Sequence, residues 1–307
     1  MQKKKVSVLI PLYNAEVFIR DLMRKLEIQS LPKDVSMEII TVDSSSSDNT
    51  VSILNKEFPK VKCTVIKNKD FDHGGTRNLL MKQSEGDYLL YMTQDAIPFD
   101  NCLIANLLAQ FEDENVKIVT ARQIPRDNVS PLEKFARNFN YPAESKVKTK
   151  ESIDELGIKT FFNSNVCSMY HRTLFREPFK GFPEKIILNE DMILAYETIM
   201  SGYKVVYEAE AKVFHSHDYS LKQQFKRYFD IGMAFDETSY ILENVSNEKE
   251  GLRMIKAQQG FLWRNKKFLY IPYSLCESVV KLLGYKVGKK HQMLGYRVKK
   301  KLSAYLK

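Results

Sequence analysis

Four short stretches of this chain hold side chains whose types and spacing can do chemistry. The first is FDHGGTRN, residues 71–78, with two adjacent glycines among charged and polar groups. Arg77 offers a planar fork suited to phosphate or carboxylate. Asp72 and His73 can accept hydrogen bonds from a base or a sugar, and a glycine pair lets backbone approach a ligand closely. The same letters also describe a turn in which Asp72 caps a helix starting near Thr76, and the segment alone leaves both readings open. The second stretch is TQDA, residues 93–96, which follows an apolar run. Asp95 there can ligate Mg²⁺ or Mn²⁺, hard ions that keep positions open for phosphate oxygens. Taken alone, it reads more readily as a strand-end aspartate in a turn before Pro98. The third is NEDM, residues 189–192. Glu190 and Asp191 are either helix N-terminal acids favoured by the dipole or contain a general base aimed at an acceptor hydroxyl. The flanking residues do not decide between these. The fourth is HSHD, residues 215–218, whose alternation puts His215 and His217 on one side of an extended segment. Either can add a metal ligand if that segment lies beside Asp95.

These groups need elements to position them. Residues 6–14, 37–43, 61–68, 87–98 and 116–125 read as strands. Residues 16–30, 50–58, 76–86 and 101–113 read as helices between them. Such alternation implies a mainly parallel, Rossmann-like sheet flanked by helices. Ligands of such sheets bind beyond the carboxyl ends of the strands. Those ends carry Pro11, Tyr13 and Asn14, then Asp43 with its serine run, then FDHGGTRN, then Thr93, Gln94 and Asp95. All four clusters are therefore expected on one rim, which favours the ligand reading of the glycine segment. Residues 126–160 are polar and irregular and are expected to be a mobile insertion or lid. Residues 204–218 read as a strand and 219–244 as a long amphipathic helix, and the chain beyond 261 mixes apolar, aromatic and basic groups.

Composition narrows the classes. The chain has 307 residues, 44% hydrophobic, with enough length for a sizeable core. Its four cysteines show neither metal-ligand nor disulfide spacing, which fits a reducing compartment. The opening MQKKKVSVLIPLYN is not the pattern of a signal peptide. No segment reaches the roughly 18 apolar residues of a membrane span. The net charge is +9, and residues 281–307 hold nine Lys or Arg and no acid. Those nine taken from 47 leave 38 basic against 38 acidic residues elsewhere, so the tail carries the whole excess. A neutral body without a nucleic-acid module argues against nucleic-acid binding. A P-loop, a dinucleotide fingerprint and a GxSxG elbow are all absent from the sequence.

The order of VSVLIPLYN, IITVDSSSSDNT, YMTQDAIP and NED about 96 residues later resembles the family 2 glycosyltransferases, inverting enzymes of the GT-A fold. FDHGGTRN, MTQDAIP and HSHDYSLKQQFKRYFDIG look most like the bacterial rhamnosyltransferase subgroup, which builds cell-surface polysaccharides. The resemblance covers residues 5–245 and, weakly, the basic tail. It implies a GT-A catalytic domain over 1–245, with a nucleotide-sugar half to 125 and an acceptor half beyond. A helical basic extension would follow over 246–307. By the same resemblance Pro11, Tyr13 and Asp43 match the base and ribose pocket, extended by Asp72, Arg77 and Gln94. Asp95 matches the surviving acid of the metal motif, whose first acid is here Thr93. Asp191 matches the catalytic base, and Glu190 would help place the acceptor. His215 or His217 matches the late metal ligand, with His215 preferred.

The implied reaction moves a sugar, L-rhamnose from dTDP-rhamnose, onto a lipid-linked saccharide with Mg²⁺ or Mn²⁺ as cofactor. The alternatives are another hexose from a UDP-sugar, or an inactive nucleotide-binding homologue. The expected location is cytoplasmic, at the inner face of the cell membrane. The basic tail either meets anionic lipid headgroups there or packs on the catalytic domain as a helical hairpin.

Overall fold

The computed structural model describes residues 4–242, 245 and 247–306. Strand β1 (Lys4–Leu12) is the buried centre of the first half. It leads through α1 (Glu16–Glu27) to β2 (Val35–Asp43), and α2 (Thr50–Glu57) then leads to β3 (Lys62–Val65). Next come α3 (His73–Lys82), β4 (Tyr88–Met92), the two-residue β5 (Ile97–Pro98), α4 (Leu103–Ala109) and β6 (Val116–Ile124). The chain continues through α5 (Pro131–Asn140), β7 (Lys146–Lys148), the single turn α6 (Ile153–Leu156) and β8 (Cys167–His171). It then runs through α7 (Glu190–Met200), β9 (Lys204–Phe214) and α8 (Leu221–Glu237). Three further helices follow, α9 (Asn247–Arg264), α10 (Tyr270–Gly288) and α11 (Tyr296–Leu302).

One sheet holds these strands in the order β3-β2-β1-β4-β8-β6-β9-β5, with β7 added to β9. The first four strands are parallel, as expected for the nucleotide half. Beyond them the sheet is mixed, because β8 inserts antiparallel between β4 and β6. Side-chain alternation along β1 builds two cores. Val6, Val8, Ile10 and Leu12 meet Ile19, Leu22 and Leu26 of α1 on one face. Leu9 faces the opposite way, toward Leu80 of α3 and Leu194 of α7. Helices on both faces then cover a sheet that is apolar on each side.

Two expectations about the later chain change. Residues 126–160 are not a mobile lid: α5, β7 and α6 occupy the segment, and β7 pairs with β9 through Lys146–Lys148. Ser130 caps α5, and Leu132 and Phe135 are buried. The amphipathic helix expected over 219–244 runs from Leu221 to Glu237, followed by a short 3₁₀ turn to Leu242. Its expected last two residues, 243 and 244, lie outside the described residues.

The tail packs on the catalytic body. Gly284 and Gly288 of α10 lie against the Phe225 and Phe229 carbonyls of α8, where an added Cβ would come within 2.5 and 2.1 Å. Gly232 of α8 faces Tyr285 in return, so glycines on both helices let the two backbones approach closely. Helix α9 reaches α5 through Phe261 and Phe135, whose rings are 5.4 Å apart. All four cysteines are free. Among the described residues no helix is long and apolar enough to cross a membrane.

Candidate active site

The strand ends do share a rim. Gln94, just past β4, ties that end to the end of β1: Tyr13 N donates to Gln94 Oε1 at 2.8 Å, and Gln94 Nε2 donates to the Tyr13 carbonyl at 3.0 Å. The Tyr13 side chain is left 49% exposed above the rim. Pro11 sits on β1 opposite Val42 of β2. Asp43 closes β2 and is fully buried, accepting from the Ser46 amide and hydroxyl, so it shapes the serine turn.

The glycine segment settles a question left open by its letters. Helix α3 starts at His73, and Asp72 caps it by accepting from Gly75 N at 2.7 Å. The other Asp72 oxygen accepts from Lys185 N at 3.2 Å, so in this structure both oxygens serve the fold. The backbone that approaches Gly74 belongs to the protein itself, since a Cβ there would meet the Pro183 carbonyl at 1.9 Å.

Asp95, His215 and His217 converge. Their ligand atoms all lie within 4.8 Å of one another. His217 Nε2 is 2.8 Å from Asp95 Oδ2 and His215 Nε2 is 3.5 Å from it. The β5–β9 pairing carries the chain back beside Asp95, with Ile97 opposite Phe214. The histidines stand just beyond the end of β9. Burial pushes the Asp95 carboxyl up, but hydrogen bonds from both imidazoles and the attraction of His215 outweigh it and hold Asp95 ionised.

Three residues not singled out from the sequence orient this group. Arg137 Nη1 donates to Gln123 Oε1 at 2.5 Å. Arginine can only donate, so Arg137 fixes which end of the Gln123 amide is oxygen. That oxygen lies 2.8 Å from His215 Nδ1, and Arg137 Nη1 lies 3.3 Å from the same nitrogen, so the pair seats the imidazole with Nε2 toward Asp95. His217 Nε2 lies beside both Asp95 Oδ2 and His215 Nε2, the latter at 3.1 Å. Two imidazole nitrogens and a carboxylate oxygen thus converge where a divalent cation would be held, so the residues fit such an ion. Glu133 holds Arg137 at 2.6 Å and accepts from His217 N at 3.0 Å. Gln123 lies at the end of β6, on the same rim, and the strand-end rule that flagged Asp95 could have found it. Arg137 and Glu133 had no such signal, because they sit on α5 in the supposed lid.

Outer partners of metal-ligating histidines are typically worth 10–100-fold in metal affinity. Gln123→Leu is accordingly expected to weaken Mn²⁺ binding by about that factor, read by titration calorimetry or the free-Mn²⁺ resonance signal.

The second centre lies at the start of α7. Its N-cap Asn189 adopts a left-handed backbone, φ 73°, which turns the chain so that Glu190 and Asp191 enter the first helical turn. Asp191 accepts from Asn165 N at 2.9 Å and from Met192 N at 2.8 Å. Glu190 accepts from Asn165 Nδ2 at 3.1 Å. Val166, the next residue, takes a hydrogen bond on its carbonyl from Thr93 N at 3.1 Å. The 165–166 loop thus joins the acidic helix start to the rim that carries Asp95.

Arg77 takes an unexpected position. It lies buried against Glu190, Nη1 to Oε1 3.1 Å, rather than free on the rim. Burial pushes the Glu190 carboxyl up, but the Arg77 and His73 charges with the Asn165 amide outweigh it and hold Glu190 ionised. For Asp191 the balance reverses. Burial and the Glu190 charge push it up to about 7, against the opposing pull of the Asn165 amide. A partly buried carboxylate poised near neutrality suits proton abstraction.

The profile described as "Glycosyl transferase family 2" matches residues 7–179. The chain belongs to glycosyltransferase family 2. It is 41% identical over 292 residues to the O-antigen chain rhamnosyltransferase RfbN of Salmonella typhimurium, covering 94% of this chain and 91% of that protein. It is 42% identical over 259 residues to the O-antigen chain rhamnosyltransferase WbaN of Salmonella anatum, covering 84% and 81%. Among solved structures, the mannosyltransferase PcManGT from Pyrobaculum calidifontis, in complex with GDP-Man and Mn²⁺, superposes with a TM-score of 0.59 at 18% identity. That match covers 94% of this chain and 75% of the other. Staphylococcus aureus TarS 1–349 with UDP-GlcNAc gives 0.54 at 17% identity, covering 95% and 93%. These two likenesses establish the GT-A fold. In this family 2 glycosyltransferase the profile ends before both histidines and Asp191, so the second half of the site rests on the geometry above.

Proposed function

We propose that this glycosyltransferase moves L-rhamnose from dTDP-rhamnose onto a saccharide acceptor, lipid-linked, during assembly of a bacterial surface polysaccharide. The observation that carries the sugar assignment is the 41% identity to an O-antigen rhamnosyltransferase across 94% of the chain. Asp191 takes the proton from the acceptor hydroxyl as that oxygen attacks the anomeric carbon. Asn165 N–H and Met192 N–H hold the Asp191 carboxylate in place. Attack from the face opposite the departing diphosphate inverts the configuration in one displacement, with no enzyme nucleophile. Asp95, His215 and His217 would hold a divalent cation, which supplies charge stabilisation for the diphosphate. Two imidazoles in the donor set favour Mn²⁺ over Mg²⁺, which prefers oxygen ligands. Tyr13, Pro11 and Gln94 form the edge offered to the nucleotide, with Asp43 and Asp72 fixing the turns beside it. Glu190 and Arg77 act on the acceptor side by setting the charge around Asp191.

The tail is proposed to rest on the inner face of the membrane while packed on α8. Leu269, Leu275, Val279, Leu282 and Leu283 form an exposed stripe along α10, and Lys286 and Lys290 continue it. An apolar stripe ending in lysines suits an anionic interface.

The test is nucleoside diphosphate release from dTDP-rhamnose and a panel of UDP-sugars, with Mn²⁺ and a lipid-linked acceptor mixture. Turnover with dTDP-rhamnose is expected. Turnover with a UDP-sugar alone would overturn the rhamnose assignment. Tight nucleotide binding without any turnover would point to a binding-only homologue.

A further inference from the structure

A groove of about 640 Å³ opens beside His217 and runs away from it between α5, the start of α8 and the α9–α10 hairpin. Its size is that of a small-ligand site. At the inner end Tyr219 stacks near His217, ring centroids 5.3 Å apart. Further out Tyr270 and Tyr273 line the groove, 37% and 43% exposed. Gln258 lines it as well. The residue as a whole is 5% exposed, and among the described residues its amide has no protein hydrogen-bond partner. An amide at a groove wall without a protein partner is free to bond an incoming hydroxyl. Glu277, also lining the groove, is held by Gln224 at 2.8 Å and Lys281 at 3.3 Å.

The lining defines the chemistry of the occupant. Glu133, Asp218 and Glu277 are acidic, and Lys281 is the one basic side chain among the lining residues. With Glu133 and Glu277 already paired to Arg137 and Lys281, the described lining offers no free cation to a phosphate and favours a neutral occupant. Flat tyrosine faces suit the C–H faces of sugar rings, and a planar amide suits neighbouring hydroxyls. The α8 and α9–α10 walls lie beyond residues 7–179, and the α5 wall lies within them.

We propose that this groove is the acceptor subsite. It binds a neutral saccharide with its reducing-end side toward the α9–α10 hairpin and its growing end toward His217. The proposal rests on the transferase reading, and it assigns a place that reading leaves open. The exposed stripe of α10 starts at Leu269, which also lines the groove, so a lipid attached at the far end would emerge beside that stripe.

The experiment uses the full chain with Tyr273→Ala, Tyr273→Phe and Gln258→Leu. Saturation-transfer NMR with neutral rhamnose-, mannose- and galactose-containing trisaccharides reads contact directly. Steady-state kinetics with the lipid-linked acceptor reads KM. Tyr273→Ala and Gln258→Leu are each expected to raise the acceptor KM about tenfold, leave the donor KM unmoved and diminish the saccharide signals. Tyr273→Phe, which keeps the stacking face, is expected to retain both. Mn²⁺ affinity and thermal midpoint verify that each variant folds. Saccharide signals that depend on Tyr273 in a protein without turnover on any donor would defeat the transfer reading and support the groove. Turnover with an unchanged acceptor KM in both variants, or trisaccharide signals indifferent to Tyr273, would overturn the groove.

Discussion

Asp191→Asn is expected to lower the transfer rate by about 10²–10⁴-fold, the range that a positioned general base contributes. Asparagine keeps the size of the side chain and one of its two acceptor oxygens, and Asp191 lies away from the proposed cation ligands, so nucleotide and Mn²⁺ affinity should stay within about twofold. A parallel loss of binding would instead mean that Asp191 holds the donor. The pH profile gives an independent check. Burial and Glu190 push Asp191 up to about 7, and the base must be ionised to act. The rate should therefore be full above that pH and fall about tenfold per unit below it. Glu190→Gln removes the repelling charge and leaves Arg77 unopposed, so it should move the acid limb to lower pH. Stability runs the other way. A carboxyl whose folded pKa is raised contributes stability that is fully present below its unfolded value and is lost as pH rises through about 7. Asp191→Asn should accordingly be less destabilised by alkaline pH than the wild type. Thermal midpoints at pH 5 and pH 8 would show this, and an equal pH dependence in both proteins would contradict the raised pKa.

Arg77→Met is expected to cost about 3–5 kcal/mol, the usual penalty for removing one partner of a buried ion pair. The remaining site would hold the buried Glu190 carboxylate beside the partly buried Asp191, with the nearest compensating charge gone. Arg77→Met with Glu190→Gln should recover a large part of that loss, because the second change removes the stranded charge. Denaturant midpoints of the two single variants and the double variant complete the cycle. Additive losses would show that the pair is not coupled. Arg77→Lys is not a conservative replacement here. The Arg77 Nη1 that meets Glu190 also donates to the His73 carbonyl at 3.0 Å, and a lysine has no rigid fork to serve both.

Much of the site was legible before any coordinates. Apolar runs ending in Pro11, Asp43 and Asp95 marked the carboxyl ends of β1, β2 and β4, because strand period and turn residues are local properties. The neighbourhood of His215 and His217 was legible from alternation, and the acidic start of α7 from its dipeptide. Local signals could not decide what each group touches. Arg77 and Glu190 are 113 positions apart and meet only because α3 and α7 share the same face of the sheet. Asp72 and Gly74 looked like ligand groups, yet the chain that approaches them is the Lys185 amide and the Pro183 carbonyl. The relay from Arg137 through Gln123 to His215 joins α5, β6 and the end of β9, and no periodicity announces it.

By itself, then, the sequence determined the strand-and-helix alternation, the polar rim and the residue types able to hold a cation or take a proton. These follow from hydrophobic period and side-chain chemistry, which neighbouring residues express without help. The tertiary structure alone decided the antiparallel insertion of β8, the pairing of Arg77 with Glu190, the seating of His215 against Gln123 and Arg137 and the close packing of α10 on α8. Each of those depends on contacts between distant segments, whose closure and charge balance exist only once the sheet has formed.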